Sequence, residues 1–123
     1  MSNFFYISKL AMRLEDGSIK ELPYKSASDF SYGSNFTIVG DAYYYYQGAI
    51  NRKGEELIPV KYIKLDRLLK DYRNIIDVID NRFVIGEKNG KYGAVDLEEM
   101  KKIFEMEYDA EEIVKKISEY NEP

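Results

Sequence analysis

Three short groups of residues occur twice in this chain. Phe36-Thr37-Ile38-Val39, Gly48-Ala49-Ile50-Asn51 and Tyr62 return as Phe83-Val84-Ile85, Gly93-Ala94-Val95-Asp96 and Tyr108, at separations of 47, 45 and 46 residues. A recurring unit constrains a fold more than local propensity does, because the same backbone must satisfy the same pattern twice. Each copy has a β-branched and aromatic run, a connection, and a second run opening on glycine, which predicts antiparallel hairpins. The fold class that follows is α+β, mainly β. It is an antiparallel meander of hairpins with a short inserted helix near 64–72 and a C-terminal helix near 109–120.

The remaining segments fit around that frame. FFYISKLAMRL (4–14) and SIKELPY (18–24) flank Glu15-Asp16-Gly17, and Asp-Gly between two such runs is a hairpin signal because glycine accepts positive φ. This gives an N-terminal hairpin over 1–24, with Pro23 ending its second strand for want of an N–H donor. KSASDFSYGS (25–34) is rich in turn-forming residues and reads as a loop. NFTIVG (35–40) and AYYYYQGAIN (42–51) read as strands. Gly54 is placed in a turn and Pro59 at the end of strand pairing. The apolar spacing of Ile63, Leu65, Leu68, Leu69 and Tyr72 predicts the inserted helix. NIIDVID (74–80) fits either an extension of that helix or a strand. RFVIGEKNGKYGAVD (82–96) predicts a hairpin turning at Asn89-Gly90. LEEMKKIFEMEY (97–108) fits a turn and strand by repeat position and a helix by composition. Asp109 as N-cap, Glu111 and Glu112 in the first turn, and Ile113, Ile117 and Tyr120 on one face predict the C-terminal helix.

Tyr43 to Tyr46 stand in the second strand of the first repeat, 42–51. Neighbours in a strand point to opposite faces, so Tyr43 and Tyr45 share one side and Tyr44 and Tyr46 the other. Tyrosine suits two half-buried layers because its ring packs while its hydroxyl reaches water or a backbone partner.

GAINRKGEELIPVKY (48–62) resembles the WG, or KWG, β-repeat: a short apolar strand after glycine, Asp or Asn, a Lys-Gly turn, a strand ending in Ile-Pro, and a following tyrosine. EKNGKYGAVD (87–96) is similar to the linking hairpin and the start of the next unit, with Lys91-Tyr92-Gly93 in the place of Lys-Trp-Gly. The resemblance covers two degenerate units, 35–62 and 82–108, about half of the chain, with 1–24 as a possible worn third. It departs from the pattern at Gln47, where the family has an aromatic residue. A second departure lies over 98–104, where the turn glycine and Ile-Pro are missing. With Gln47 in that place, Tyr45 and Tyr46 are expected to supply the missing bulk, and Gly48 to mark either the close approach of an aromatic on a neighbouring strand or a bulge. What the resemblance implies is a scaffold without a chemistry of its own.

Composition narrows the function. The length of 123 residues predicts a single domain. The chain has no cysteine and no histidine, which removes disulfides, thiolate chemistry and the commonest general base and metal ligand. The absence of a leader pattern and of a long apolar run predicts a cytoplasmic protein with no membrane partner. Adjacent pairs such as Glu55-Glu56, Glu98-Glu99 and Glu111-Glu112 do not form a shared proton site, because neighbouring side chains diverge in a strand and in a helix. Asp77 and Asp80 share a side only if 74–80 is helical, where Asp66 or Glu87 would complete a hard-cation site. No cofactor or metal is assigned. Lys and Arg form no stripe of the kind that tracks phosphates, so direct nucleic-acid binding is not expected.

What remains is a surface for another protein. Residues 1–96 carry 14 basic and 13 acidic side chains, whereas residues 97–123 carry 4 and 9. The partner-binding candidates are Tyr24, Tyr32, Tyr44 and Tyr46, because tyrosine is frequent among interface hot spots, and Glu105, Glu107, Glu111 and Glu112 at the acidic end. Core packing is the competing role for each tyrosine, and a solvated face for each carboxylate. Together they predict a non-enzymatic protein-binding module. The sharper form is a small acidic inhibitor, of the bacterial immunity or phage anti-defence kind, that blocks the basic nucleic-acid-binding surface of a nuclease or toxin. A small-ligand or glycan-binding module with tyrosine platforms, and a carboxylate-dependent hydrolase, are the alternatives.

Overall fold

The computed structural model describes residues 3–42 and 45–122. The protein is mainly β, and the described residues form three antiparallel sheets and two helices. Its chain divides into two compact units, Met1–Asp66 and Arg67–Pro123, each holding one copy of the repeat.

In unit 1, β1 (Phe4–Tyr6), β2 (Leu10–Arg13) and β3 (Ile19–Glu21) form a three-stranded sheet. The run over 4–14, expected as one strand, is broken in two because Ser8 adopts φ +81° and reverses the chain. Gly17 at φ +89° makes the expected second turn. A four-stranded sheet follows, from β4 (Ser26–Ala27), β5 (Phe36–Gly40), β6 (Gln47–Asn51) and β7 (Glu56–Tyr62). The two-residue β4 interrupts the expected loop over 25–34. Leu10, Met12 and Leu22 of the first sheet pack with Val39 and Ile50 of the second, and Phe4, Tyr24, Phe30 and Val60 close the layer.

Unit 2 repeats the four-stranded meander with β8 (Asn74–Ile79), β9 (Phe83–Lys88), β10 (Lys91–Asp96) and β11 (Lys101–Tyr108). Residues 74–79 and 101–108 are therefore strands. Positive φ at Asp80-Asn81 and at Asn89-Gly90 turns the two tight hairpins. α2 (Ala110–Tyr120) covers one face of the sheet, burying Ile113 and Ile117 against Phe83, Ile85 and Ala94. Its N-terminus is a capping box: the Asp109 side chain accepts from the Glu112 N–H, and the Asp109 N–H donates to the Glu112 carboxylate. The inserted helix is shorter than expected, α1 spanning only Leu65–Leu68. Past it the chain turns, with the Tyr72 N–H donating to the Leu69 carbonyl. The Tyr72 ring then lies where a Gly86 side chain would stand.

The repeats match in register. Phe36, Ile38 and Val39 pair with Asn51, Ala49 and Gly48, just as Phe83, Ile85 and Gly86 pair with Asp96, Ala94 and Gly93. On the far side of each glycine the ladder is irregular, between Gln47 and Ile50 against β7 and between Tyr92 and Val95 against β11. These bulges explain both glycines. A Cβ at Gly48 would meet the Ile58 carbonyl oxygen and lie 2.8 Å from the Val60 nitrogen, and one at Gly93 would lie 2.7 Å from the Phe104 carbonyl oxygen. Of the two expectations for Gly48 the bulge is the one that forms, and backbone in place of an aromatic ring occupies the space over it. Pro59 sits within this bulge and does not end the strand, because the disrupted ladder asks no N–H of it.

Gln47 is buried, and its Oε1 accepts from the Asp66 N–H of α1 at 2.9 Å. Tyr45 and Tyr46 do not fill in for it; they lie in the connection before β6 and are 56% and 47% exposed.

Asn51 and Asp96, the paired ends of β6 and β10, organise the next turn. Asn51 Oδ1 accepts from the Lys53 and Glu55 N–H groups at 2.9 Å each, and Asp96 Oδ1 from the Glu98 N–H at 2.9 Å. Each turn then needs a left-handed residue shortly before the return strand pairs, two positions ahead of Glu56 in unit 1 and one ahead of Lys101 in unit 2. Unit 1 uses Gly54 at φ +75°, whereas unit 2 uses Met100 at φ +51°. A non-glycine residue there costs about 1–2 kcal/mol.

Two expectations follow for urea melts. Gly93→Ala lowers stability by about 2–3 kcal/mol, since backbone has to move to admit the methyl group. Met100→Gly raises it by up to about 1 kcal/mol, relief of the left-handed strain exceeding the loss of a half-buried side chain.

Candidate functional site

Four of the predicted partner-binding residues come together at one corner. Glu105 and Glu107 occupy alternate positions near the end of β11, Asp109 caps the next helix, and Glu111 and Glu112 stand in its first turn. All four glutamates are exposed. Two of them also act locally: Glu105 accepts from Lys102 Nζ at 3.2 Å, and Glu112 closes the capping box. Hydrogen bonding from the Glu112 N–H is the first cause that holds the Asp109 carboxyl below the usual carboxylate range.

Charge separates with the units. Over residues 1–66 eight basic and eight acidic side chains balance, while residues 67–123 carry ten basic and fourteen acidic ones. The whole net charge of −4 therefore belongs to unit 2.

The tyrosines do not converge. Tyr24 is half-buried against the unit 1 core, with its hydroxyl 3.4 Å from Glu56 Oε1. Burial, followed by the Glu56 charge, pushes its phenol up to about 12. Core packing is thus a large part of its role. Tyr32 is 97% exposed, in a loop tied to the β6–β7 turn by Arg52, whose Nε donates to the Ser34 carbonyl at 2.7 Å. Tyr46 lies at the opposite end of β5 and β6, where the Asp41 side chain accepts from the Tyr45 and Tyr46 N–H groups. The rings of Tyr45 and Tyr46 meet edge to face at 4.9 Å. Tyr44, and with it the expected alternation of Tyr43 to Tyr46, falls outside the described residues.

Reasoning from sequence missed a cleft in unit 1, of about 460 Å³, lined by Tyr6, Ser8, Lys9, Leu10 and residues 21–25. The polar Ser8-Lys9 break inside an otherwise apolar run was the available signal.

The strongest buried charge pair is structural. Arg82 Nε and Nη2 donate to the two Asp96 carboxylate oxygens at 2.9 and 2.8 Å, and Asp96 is fully buried. Arg82 is the first cause that depresses the Asp96 carboxyl. The cation site considered for Asp77 and Asp80 loses its helical basis, since Asp77 lies in β8 and Asp80 in the following turn. Glu87 instead accepts from Asn74 Nδ2 and the Gly90 N–H. Among the described residues no three His, Cys, Asp or Glu side chains gather as a metal site, and no helix is long and apolar enough to cross a membrane. No family model matches the chain, nor does any curated protein or solved structure.

Because the folded Asp96 carboxyl titrates below its unfolded value, its stabilising effect is complete above the ordinary carboxylate pKa, near ~4. It is lost as pH falls through the folded value. Asp96→Asn places the residue type of position 51 at the equivalent site of unit 2. It is expected to cost about 2 kcal/mol at neutral pH and less in acid. Urea melts at neutral pH and below pH ~4 check both.

Proposed function

We propose that this chain is a non-enzymatic protein-binding module that sets the acidic corner of unit 2 against a basic surface of another protein. The observation that carries the reading is the partition of charge: unit 1 is neutral and unit 2 holds the full −4. An exposed corner carrying Glu105, Glu107, Glu111 and Glu112 attracts a cationic surface over a Debye length of roughly 8–10 Å, speeds encounter and fixes orientation. The likeness of GAINRKGEELIPVKY to the WG repeat supports a scaffold role, and a chain without His or Cys has few routes to catalysis.

The partner that this surface suits best is a nuclease or toxin whose basic face engages nucleic acid. In that sharper form the chain is an inhibitor of the bacterial immunity or phage anti-defence kind, and it competes with phosphate for the same cations.

The test is a variant with Glu105, Glu107, Glu111 and Glu112 all changed to Gln. Gln still serves at the third helical position of a capping box, so the fold is kept while the charge is removed. Against a panel of basic nucleases, the wild-type chain is expected to associate faster at low salt, with the variant at least about tenfold slower and nearly insensitive to salt. Equal affinity of the two proteins for every target they bind would sink the reading.

A further inference from the structure

We infer that the cleft in unit 1 is a binding site for an acidic carbohydrate, a pyranose ring carrying a carboxylate. This is independent of the reading above, because it uses neither unit 2 nor its charge.

The cleft is built from one cross-strand row. Tyr6 pairs with Leu10, and the Leu22 N–H donates to the Leu10 carbonyl at 2.9 Å, so Tyr6, Leu10 and Leu22 lie side by side at one end of the first sheet. Leu10 and Leu22 are buried and form an apolar floor, while Tyr24 and Pro23 close a second side. The volume of about 460 Å³ falls within the range of small-molecule sites.

Two features of this cleft are unusual for a bare surface. Tyr6 is 65% exposed, yet its ring is not free to swing, because its hydroxyl donates to the Lys25 carbonyl at 2.7 Å. An aromatic face held in water is pre-organised for stacking, since its rotamer entropy is already lost. At the rim, Ser8 holds φ +81°, a left-handed conformation costly for a residue with a Cβ, and its turn brings Ser8 and Lys9 into the lining. Strain of this kind concentrates at ligand sites.

The lining chemistry selects the ligand. A ring face and an apolar floor suit the aliphatic face of a sugar, and Ser8 and Glu21 suit its hydroxyls as hydrogen-bond partners. Lys9 and Lys25 outnumber Glu21 and favour an anionic substituent.

The experiment is a ¹H–¹⁵N NMR titration of the whole chain with trigalacturonate, neutral maltotriose and inorganic phosphate in parallel. Trigalacturonate is expected to shift the amides of Tyr6, Leu10, Leu22 and Lys25. Its affinity is expected to fall at least about tenfold in Tyr6→Ala and in the double variant Lys9→Glu/Lys25→Glu. Tyr6, Lys9 and Lys25 are exposed, so these variants fold, which the retained dispersion of their spectra verifies. Equal binding of maltotriose would overturn the acidic part of the inference. Phosphate moving the same amides as strongly would show a plain anion site and overturn the sugar. No shift with trigalacturonate would overturn the site itself.

Discussion

Both units depend on the close approach of one strand's backbone to the glycine of its neighbour. At Gly48 the bulged strand β7 brings the Ile58 carbonyl against Cα, and at Gly93 the bulged strand β11 does the same with Phe104. A bulge adds twist and displaces the side chains that follow it. In unit 2 the strand beyond the bulge brings Phe104 and Tyr108 to the face where α2 docks on Phe83 and Ile85. It ends at Tyr108, and the next residue, Asp109, caps that helix. The acidic corner is therefore positioned by a glycine far from it in charge and function.

On a shared meander the two units have acquired different surfaces. Unit 1 adds a second sheet, and at the end of the layer between the sheets it leaves a cleft with a pinned tyrosine and two lysines. Unit 2 adds a helix, whose first turn and preceding strand carry the carboxylates. The scaffold thus sets where backbone can go, while short additions at its margins decide which chemistry faces solvent.

How much of this the residues reveal depends on whether the signal is local. Asn89-Gly90, Asp16-Gly17 and the Asp109 cap state their geometry within two to four residues, and each stands where the sequence predicts it. The recurrence at 48 and 93 pointed to antiparallel hairpins because two copies constrain one pattern, and the pairings of the two units then match residue for residue. The tyrosine run was misleading. Residues 45 and 46 have strand propensity, but Asp41 accepts their N–H groups and holds them in the connection before β6, so a local side chain-to-backbone hydrogen bond overrides preference. The α1 segment has helical spacing as far as Tyr72, yet that ring is used on Gly86, fourteen residues further along the chain, and nothing local announces the pairing. The four glutamates fall at one corner because they are close in sequence, whereas the cleft was missed because it joins residues 6–10 with 21–25 through sheet pairing.

The turn after β10 differs from its counterpart after β6 in two linked ways. Unit 1 combines the easy glycine at 54 with an uncharged Asn51. Unit 2 carries a strained Met100 with a buried Asp96 gripped by Arg82. The grip holds in place a backbone conformation that Met100 alone disfavours, so in this turn ion pair and backbone strain are coupled. Losing the Arg82–Asp96 pair therefore leaves a left-handed non-glycine residue without its restraint, whereas the turn after β6 keeps its shape through the freedom of Gly54. The two hairpins share a shape and differ in what secures it: freedom in one, an ion pair in the other.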